Sequence, residues 1–209
     1  MSEKQREHWE GRYLSGATEK LGWYRPRLDT SLELIRLLSP PCEARLIDIG
    51  CGASTLVDDL LAEDLDSVTV LDVSPAALAV ARTRLGSLAD RVDWRVGSVL
   101  EVDLTPDTFE LWHDRAVFHF LVEEGDRRQY LRQLRSALQP GGHVVIGTFG
   151  PTAPAKCSGL PVQRHTLDEL MATFGPRFRL VESREEAHQT PGGTDQPYVY
   201  ALFERLNQL

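Results

Sequence analysis

From Arg45 to Phe149 short apolar runs alternate with amphipathic stretches, and no other feature narrows the possible folds as sharply. RLIDIG, residues 45 to 50, has the apolar run of a buried strand. After it, Leu56, Val57, Leu60 and Leu61 make the inner face of a helix beginning near Ser54. The unit then repeats. SVTVLD, 67 to 72, is a second strand, and Ser74-Pro75 places a cap before a proline at the first helical position. That helix carries Leu78, Ala81, Arg82 and Leu85 and ends at Gly86. Residues 91 to 96 and 108 to 113 are the third and fourth strands. A polar helix from Glu124 to Leu138 follows, with Tyr130, Leu131, Leu134 and Leu138 on one face. Pro140-Gly141-Gly142 breaks it, and His143 to Phe149 is the fifth strand. Strands and helices in this alternation predict βαβ units and a mainly parallel sheet.

The flanks complete the plan. Thr30 with Glu33 forms a possible capping box, and Leu28, Leu32, Ile35 and Leu38 continue a first helix until Pro40-Pro41. Residues 150 to 164 are proline- and glycine-rich, placing an ordered loop above the sheet. Thr166 and Glu169 can cap a short helix bearing Leu167, Leu170, Met171 and Phe174. FRLVES and YVYALFER flank a turn-rich PGGTDQP segment and predict an antiparallel hairpin. With no repeat or linker, residues 1–209 are expected to form one domain. Residues 1–27 form an N-terminal helix, short and before Gly11, then a lid-like segment. Trp9, Tyr13, Trp23 and Tyr24 there either seal a core edge or cover a ligand.

Composition removes several function classes. Of 209 residues, 31 are acidic and 23 basic, and the net charge of -8 repels polyanions, which disfavours nucleic acid as a partner. Cys42, Cys51 and Cys157 match neither a disulfide framework nor a four-cysteine zinc site. No metal site is expected, because no Cys/His/Asp/Glu set has ligand spacing. No run is long and apolar enough to span a bilayer, and MSEKQREHWE lacks a signal's apolar centre, so a cytoplasmic location without membrane contact is expected. Oligomeric state is not legible.

The most informative segment is LIDIGCGAS, 46 to 54, between a buried strand and a helix. Gly50 and Gly52 allow a sharp turn and a close approach of backbone to ligand. Asp72, twenty-two residues after Gly50, falls at the end of the next strand, where a carboxylate can bind two ribose hydroxyls. A nucleotide-like ligand is indicated, against the plain alternative of tight loops. Thr55 stands where a dinucleotide fingerprint has its last glycine, and no G-x-x-x-x-G-K-[ST] cradle occurs, which disfavours NAD, FAD and ATP.

IDIGCGAS, VTVLDVSPAALAVAR, WRVGSV, FELWHDRAVFHFL and LQPGGHVVIGTF together resemble the motif series of class I S-adenosylmethionine-dependent methyltransferases, over roughly residues 28 to 205. The resemblance implies an α/β, Rossmann-like seven-stranded sheet of order 3-2-1-4-5-7-6, with strand 7 antiparallel. It implies S-adenosyl-L-methionine as cofactor and S-adenosyl-L-homocysteine as product. Asp48, Gly50, Cys51 and Gly52 would lie at the methionyl part. Asp72, followed by Val73, would lie at the ribose. Ser98 and Val99 would lie at the adenine, with Ser98 replacing a frequent acidic residue. Ser54 stands in place of a frequent third glycine. His113, Asp114 and Arg115 match the loop after the fourth strand, where the methionyl tail and the acceptor meet.

Methyl transfer needs alignment and proton management more than a nucleophilic triad. HDRAVFHFL, 113 to 121, supplies one candidate wall. His119 is either a proton acceptor near neutrality or a histidine packed beside Phe118 and Phe120, and Asp114 with Arg115 is either catalytic and acceptor-binding or a stabilising network. CSGLPVQRH, 157 to 165, supplies a second. Arg164 suits an acceptor carboxylate, His165 can orient the acceptor, and Cys157 is either a soft-ligand contact or a loop anchor. Trp23 and Tyr24 would face the acceptor from the other side. Glu186, His188 and Gln189 would close the pocket if the hairpin curls inward, and lie on a distal turn otherwise. The leading expectation is methyl transfer to a small molecule. A protein lysine acceptor and a noncatalytic nucleotide-binding or interaction domain are the alternatives.

Overall fold

The computed structural model describes residues 3–207, so positions 1, 2, 208 and 209 of the expected 1–209 domain, the first two of which also belong to the 1–27 segment, lie outside the described residues. Seven strands form one sheet. In chain order they are β1 (Arg45–Ile49), β2 (Ser67–Asp72), β3 (Val92–Val96), β4 (Phe109–Arg115), β5 (Leu138–Phe149), β8 (Phe178–Gln189) and β9 (Asp195–Arg205). Two-residue strands β6 (Lys156–Cys157) and β7 (Leu160–Pro161) make a separate ribbon. The sheet order is β3-β2-β1-β4-β5-β9-β8, with β9 antiparallel to both neighbours. This is the expected order, β8 and β9 being its sixth and seventh strands.

The helices are α1 (Glu3–Leu14), α2 (Asp29–Arg36), α3 (Leu56–Ala62), α4 (Pro75–Leu85), α5 (Glu124–Ala137) and α6 (Leu167–Phe174). Side chains alternate along each strand, so the sheet has two apolar faces. Leu46, Val68, Val70, Leu111, Val145 and Leu202 share one cluster with the inner residues of α2, α3 and α4. Ile47, Leu71, Trp112, Val144, Ile146 and Phe203 share the other with α5 and α6. Residues 113 to 115 divide by the same pleat.

Local signals held unevenly. Ser74 Oγ accepts from the Ala77 amide with Pro75 at the first turn, and Thr166 and Glu169 form the reciprocal capping box. The Thr30–Glu33 box does not form: Thr30 lies inside α2, and its hydroxyl donates to Glu186 at 2.6 Å. Helix α1 continues through Gly11 to Leu14, and α2 ends at Arg36, before the prolines. Strand β4 runs two residues past its expected end, which puts His113, Asp114 and Arg115 on the strand rather than in the loop after it. Strand β5 begins at Leu138 and passes through Pro140-Gly141-Gly142, where Gly141 takes φ +79°. The terminal hairpin strands are 12 and 11 residues long, both longer than the FRLVES and YVYALFER segments that marked them.

Candidate active site

The carboxyl ends of β1, β2 and β4 meet α1 and the segment after it around two adjoining clefts. The larger encloses about 910 Å³, open solvent at its mouth included. Asp72, Val73, Gly97, Val99 and Leu100 line it, as do Trp9, Trp23, Phe120, Arg115 and Cys157. The smaller, about 500 Å³ on the same measure, runs over the glycine loop, with Asp48, Cys51, Gly52 and His113 below and Tyr24 and Arg25 above. Gly50, Tyr13, Trp23 and Arg115 border both.

The loop geometry accounts for its glycines. Gly50 and Gly52 have φ +62° and +56°, a left-handed conformation that favours glycine. A Cβ on Gly50 would collide with Val117, and one on Gly52 with the Tyr13 hydroxyl. Asp72 stitches the loop: Oδ2 accepts from the Gly52 amide and Oδ1 from the Ser74 amide, both at 2.8 Å. Burial pushes its carboxyl up to about 6, against those two bonds. Each oxygen still has lone-pair capacity toward the larger cleft. Asp48 is paired beneath the smaller one, where its Oδ1 lies 2.6 Å from His113 Nδ1 while His113 Nε2 lies 2.9 Å from Ser31 Oγ.

Several expected site residues are placed elsewhere. Asp114 points to the opposite face of the sheet from His113 and Arg115. Its oxygens accept from the Val117 and Phe118 amides and from Tyr130 Oη at 2.7 Å, so it anchors the β4 turn and reaches neither cleft. His119 is fully buried against Phe120, Phe149 and Tyr198, and its Nδ1 accepts from the Phe149 amide. Burial and the charges of Arg115 and His165 push it down to about 3, which removes it as a base near neutrality. Ser98 Oγ accepts from the Leu100 amide and caps a turn, leaving Val99 and Leu100 to face the cleft. Arg164 is exposed and donates to the Ala153 carbonyl. His165 packs on Phe118 outside both clefts, pushed by burial down to about 4. Loop 150–164 therefore contributes Cys157 alone to the larger cleft, its thiol pushed up by burial to about 11.

The N-terminal helix supplies further lining: Trp9 and Tyr13, whose ligand-covering alternative is the one the cleft favours, and Gln5 and Glu10, which the sequence did not mark. Gln5, Trp9 and Tyr13 stand four residues apart along α1 and line the larger cleft, while Glu10 on the same helix accepts from Ser74 Oγ at 2.5 Å and the Ala76 amide at 3.2 Å. The i, i+4, i+8 spacing was visible, but α1 is too polar for periodicity to mark it. The terminal hairpin curls inward: Glu186 and His188 are buried, and Gln189 is exposed. Arg115 donates to Tyr200 Oη at 2.9 Å and to the Trp23 carbonyl at 3.1 Å, and lies 3.5 Å from Glu186. Among the described residues no group of three or more His, Cys, Asp or Glu is placed to hold a metal.

A strand-ordered α/β domain whose glycine turn is tied to an acidic residue at the end of the second strand defines a nucleoside-cofactor-binding class. Residues 47–144 match the methyltransferase domain family. The chain is 30% identical over 124 residues to the ubiquinone biosynthesis O-methyltransferase of Xanthomonas axonopodis pv. citri, covering 59% of this chain and 51% of that one. It is 30% identical over 126 residues to nodulation protein S of Sinorhizobium fredii, covering 60% and 56%. It thus spans about half the length of the curated relatives it matches. Its fold is similar to the crystal structure of the Burkholderia thailandensis 1,6-didemethyltoxoflavin N1-methyltransferase with bound S-adenosylhomocysteine, at TM-score 0.75 and 21% identity over 97% of this chain and 88% of that one. The chain is thus similar to methyltransferases over residues 47–144 and shares the fold of solved methyltransferases over most of its length.

Proposed function

We propose that this chain is an enzyme that transfers a methyl group from S-adenosylmethionine to a small molecule. The observation that carries the reading is the pair of clefts that share Gly50, with a buried carboxylate, Asp72, tied to the glycine turn and lining the larger one. The cradle fits the cofactor. Asp72 would accept from the ribose hydroxyls, Val73, Val99 and Leu100 would flank the base, and the Gly50–Gly52 turn would border the amino-acid end. Bound there, the cofactor supplies an activated methyl on a sulfonium, with a neutral leaving group. Arg115, Trp9, Trp23, Phe120 and Cys157 then form the acceptor side and exclude water.

Asp48 and His113 hold the floor of the glycine loop through their mutual bond, a positioning role rather than one in proton transfer. Small-molecule methylation by the ubiquinone biosynthesis and toxoflavin relatives supports the same acceptor class here. Three free cysteines, two of them buried, agree with a reducing cytoplasm, and no helix among the described residues is long and apolar enough to cross a membrane. Calorimetric titration with S-adenosylhomocysteine tests the cofactor reading, and acceptor-dependent formation of S-adenosylhomocysteine tests the enzyme. No binding would overturn both. Binding without turnover across a broad acceptor panel would leave a noncatalytic binding domain.

A further inference from the structure

Of the eight buried side-chain atoms without a hydrogen-bond partner among the described residues, six lie around the ends of β4 and β8 and the start of β9: Arg115 Nη2, His119 Nε2, Glu186 Oε1, His188 Nδ1, Gln196 Oε1 and Tyr198 Oη. Such atoms are costly and uncommon in a native interior, so their concentration at one place points to a ligand. The sheet register puts them together. Glu186 pairs with Tyr198 and His188 with Gln196, two residues apart on one face, while Arg115 reaches Tyr200 across Gly147. Gly147 is what allows this, since a Cβ there would lie 2.5 to 2.9 Å from the Tyr200 ring.

Arg115 and Glu186 are the centre. Both are more than nine-tenths buried, and Nη2 and Oε1 stand 3.5 Å apart without forming a hydrogen bond. The rest of each group is engaged: Arg115 with Tyr200 Oη, the Trp23 carbonyl and the Tyr198 ring at 4.5 Å, Glu186 Oε2 with Thr30. The two opposite charges cancel toward a newcomer. An anion there would face Glu186 and a cation would face Arg115. A group with an acceptor beside a donor satisfies both orphaned atoms at once.

Two contacts hold the cover over this pair, from Arg115 to the Trp23 carbonyl and from His188 Nε2 to the Gly22 carbonyl at 2.8 Å. Since Nε2 must donate to that carbonyl, His188 Nδ1 carries the free lone pair. On the cleft side of Arg115, Trp9 stands edge-on to Trp23 and Phe120 with centroids 5.4 and 4.9 Å apart, which is an apolar box suited to a flat ring.

We propose that Arg115 and Glu186 form the acceptor-recognition subsite, and that it takes an uncharged flat heterocycle presenting a carbonyl next to an N–H, a lactam edge. Arg115 Nη2 donates to the carbonyl, and the N–H donates to Glu186 Oε1. The inference deepens the methyl-transfer reading, for it assigns the acceptor's chemical class at that same site.

The test is ligand-detected NMR titration of the whole chain with 2-pyridone, benzoate and benzylammonium, in parallel with an S-adenosylhomocysteine titration. Unaltered protein is expected to bind 2-pyridone roughly tenfold more tightly than either charged ring, the size of one or two hydrogen bonds. Glu186→Gln leaves the guanidinium uncancelled, so benzoate should overtake 2-pyridone. A charged ring equalling 2-pyridone on the unaltered chain, no binding by any of the three, or an unchanged order in folded Glu186→Gln would overturn the proposal. Should the variant fail to fold, the ranking on the unaltered chain decides. Bound S-adenosylhomocysteine with no lactam preference rejects the subsite alone. A lactam preference without S-adenosylhomocysteine binding rejects methyl transfer and leaves the subsite standing.

Discussion

Asp72→Asn should separate cofactor affinity from stability, and the two effects have opposite origins. The carboxylate accepts from the Gly52 and Ser74 amides, and its asparagine isostere keeps only one acceptor oxygen, so one amide loses its partner at a cost of about 1 to 3 kcal/mol. Against that stands the penalty of the buried charge. Burial raises the folded carboxyl from 3.8 to about 6, which makes the ionised form about 3 kcal/mol unfavourable to folding at pH 7. The penalty is complete above pH 6, where the group is ionised in both states. It is relieved as pH falls from 6 toward 3.8, where the folded chain binds the proton first. The variant should therefore match or modestly exceed the parent at neutral pH and fall behind it by roughly 2 to 10 °C near pH 4. Its affinity for S-adenosylhomocysteine should drop roughly ten- to hundredfold at pH 7, because charge-assisted bonds to the ribose are worth about 1.5 to 3 kcal/mol. Parent affinity should itself weaken as pH falls through about 6, and the variant's should not. Calorimetric titration and thermal unfolding across that range check all three. A folded variant with unchanged affinity would refute the ribose assignment.

Gly52→Ala should cost about 1 to 3 kcal/mol from its left-handed φ and the collision with Tyr13, and Tyr13→Phe should restore part of it by removing the hydroxyl; additive losses in denaturant unfolding would reject the collision. His119→Gln should leave the pH profile of turnover unchanged, because the histidine stays neutral in the fold. It should also abolish a stability term of about 1.4 kcal/mol per pH unit that the parent loses as pH falls from 6.5 toward 3; a shifted kcat profile would reinstate the base. Arg164→Lys should leave acceptor KM within about twofold, since the exposed guanidinium reaches only the Ala153 carbonyl; a severalfold rise in steady-state KM would return Arg164 to the site.

What the sequence determined by itself was whatever depends on neighbours along the chain. Alternating apolar runs marked the strands, Ser74-Pro75 and Thr166 with Glu169 marked helix starts, and the spacing from Gly50 to Asp72 placed a loop and a carboxylate on one sheet edge. Backbone periodicity and capping are satisfied within a few residues, so they can be read from a few residues. The acceptor side has no such economy. Asp114 and Arg115 are adjacent in the chain, yet the pleat sends one to Tyr130 and the other to Tyr200, and only a strand end two residues later than expected reveals it. His119 and Arg164 looked available because they are polar and near the right motifs, but one is sealed in the core and the other lies in solvent. Glu186 and His188 could equally close the pocket or lie on a distal turn, and the antiparallel pairing of β8 with β9 decides it by carrying them against Arg115 and the Gly22–Trp23 backbone. Burial, charge pairing and orphaned polar atoms arise between segments 71 to 166 residues apart, where only the folded chain brings the partners within reach.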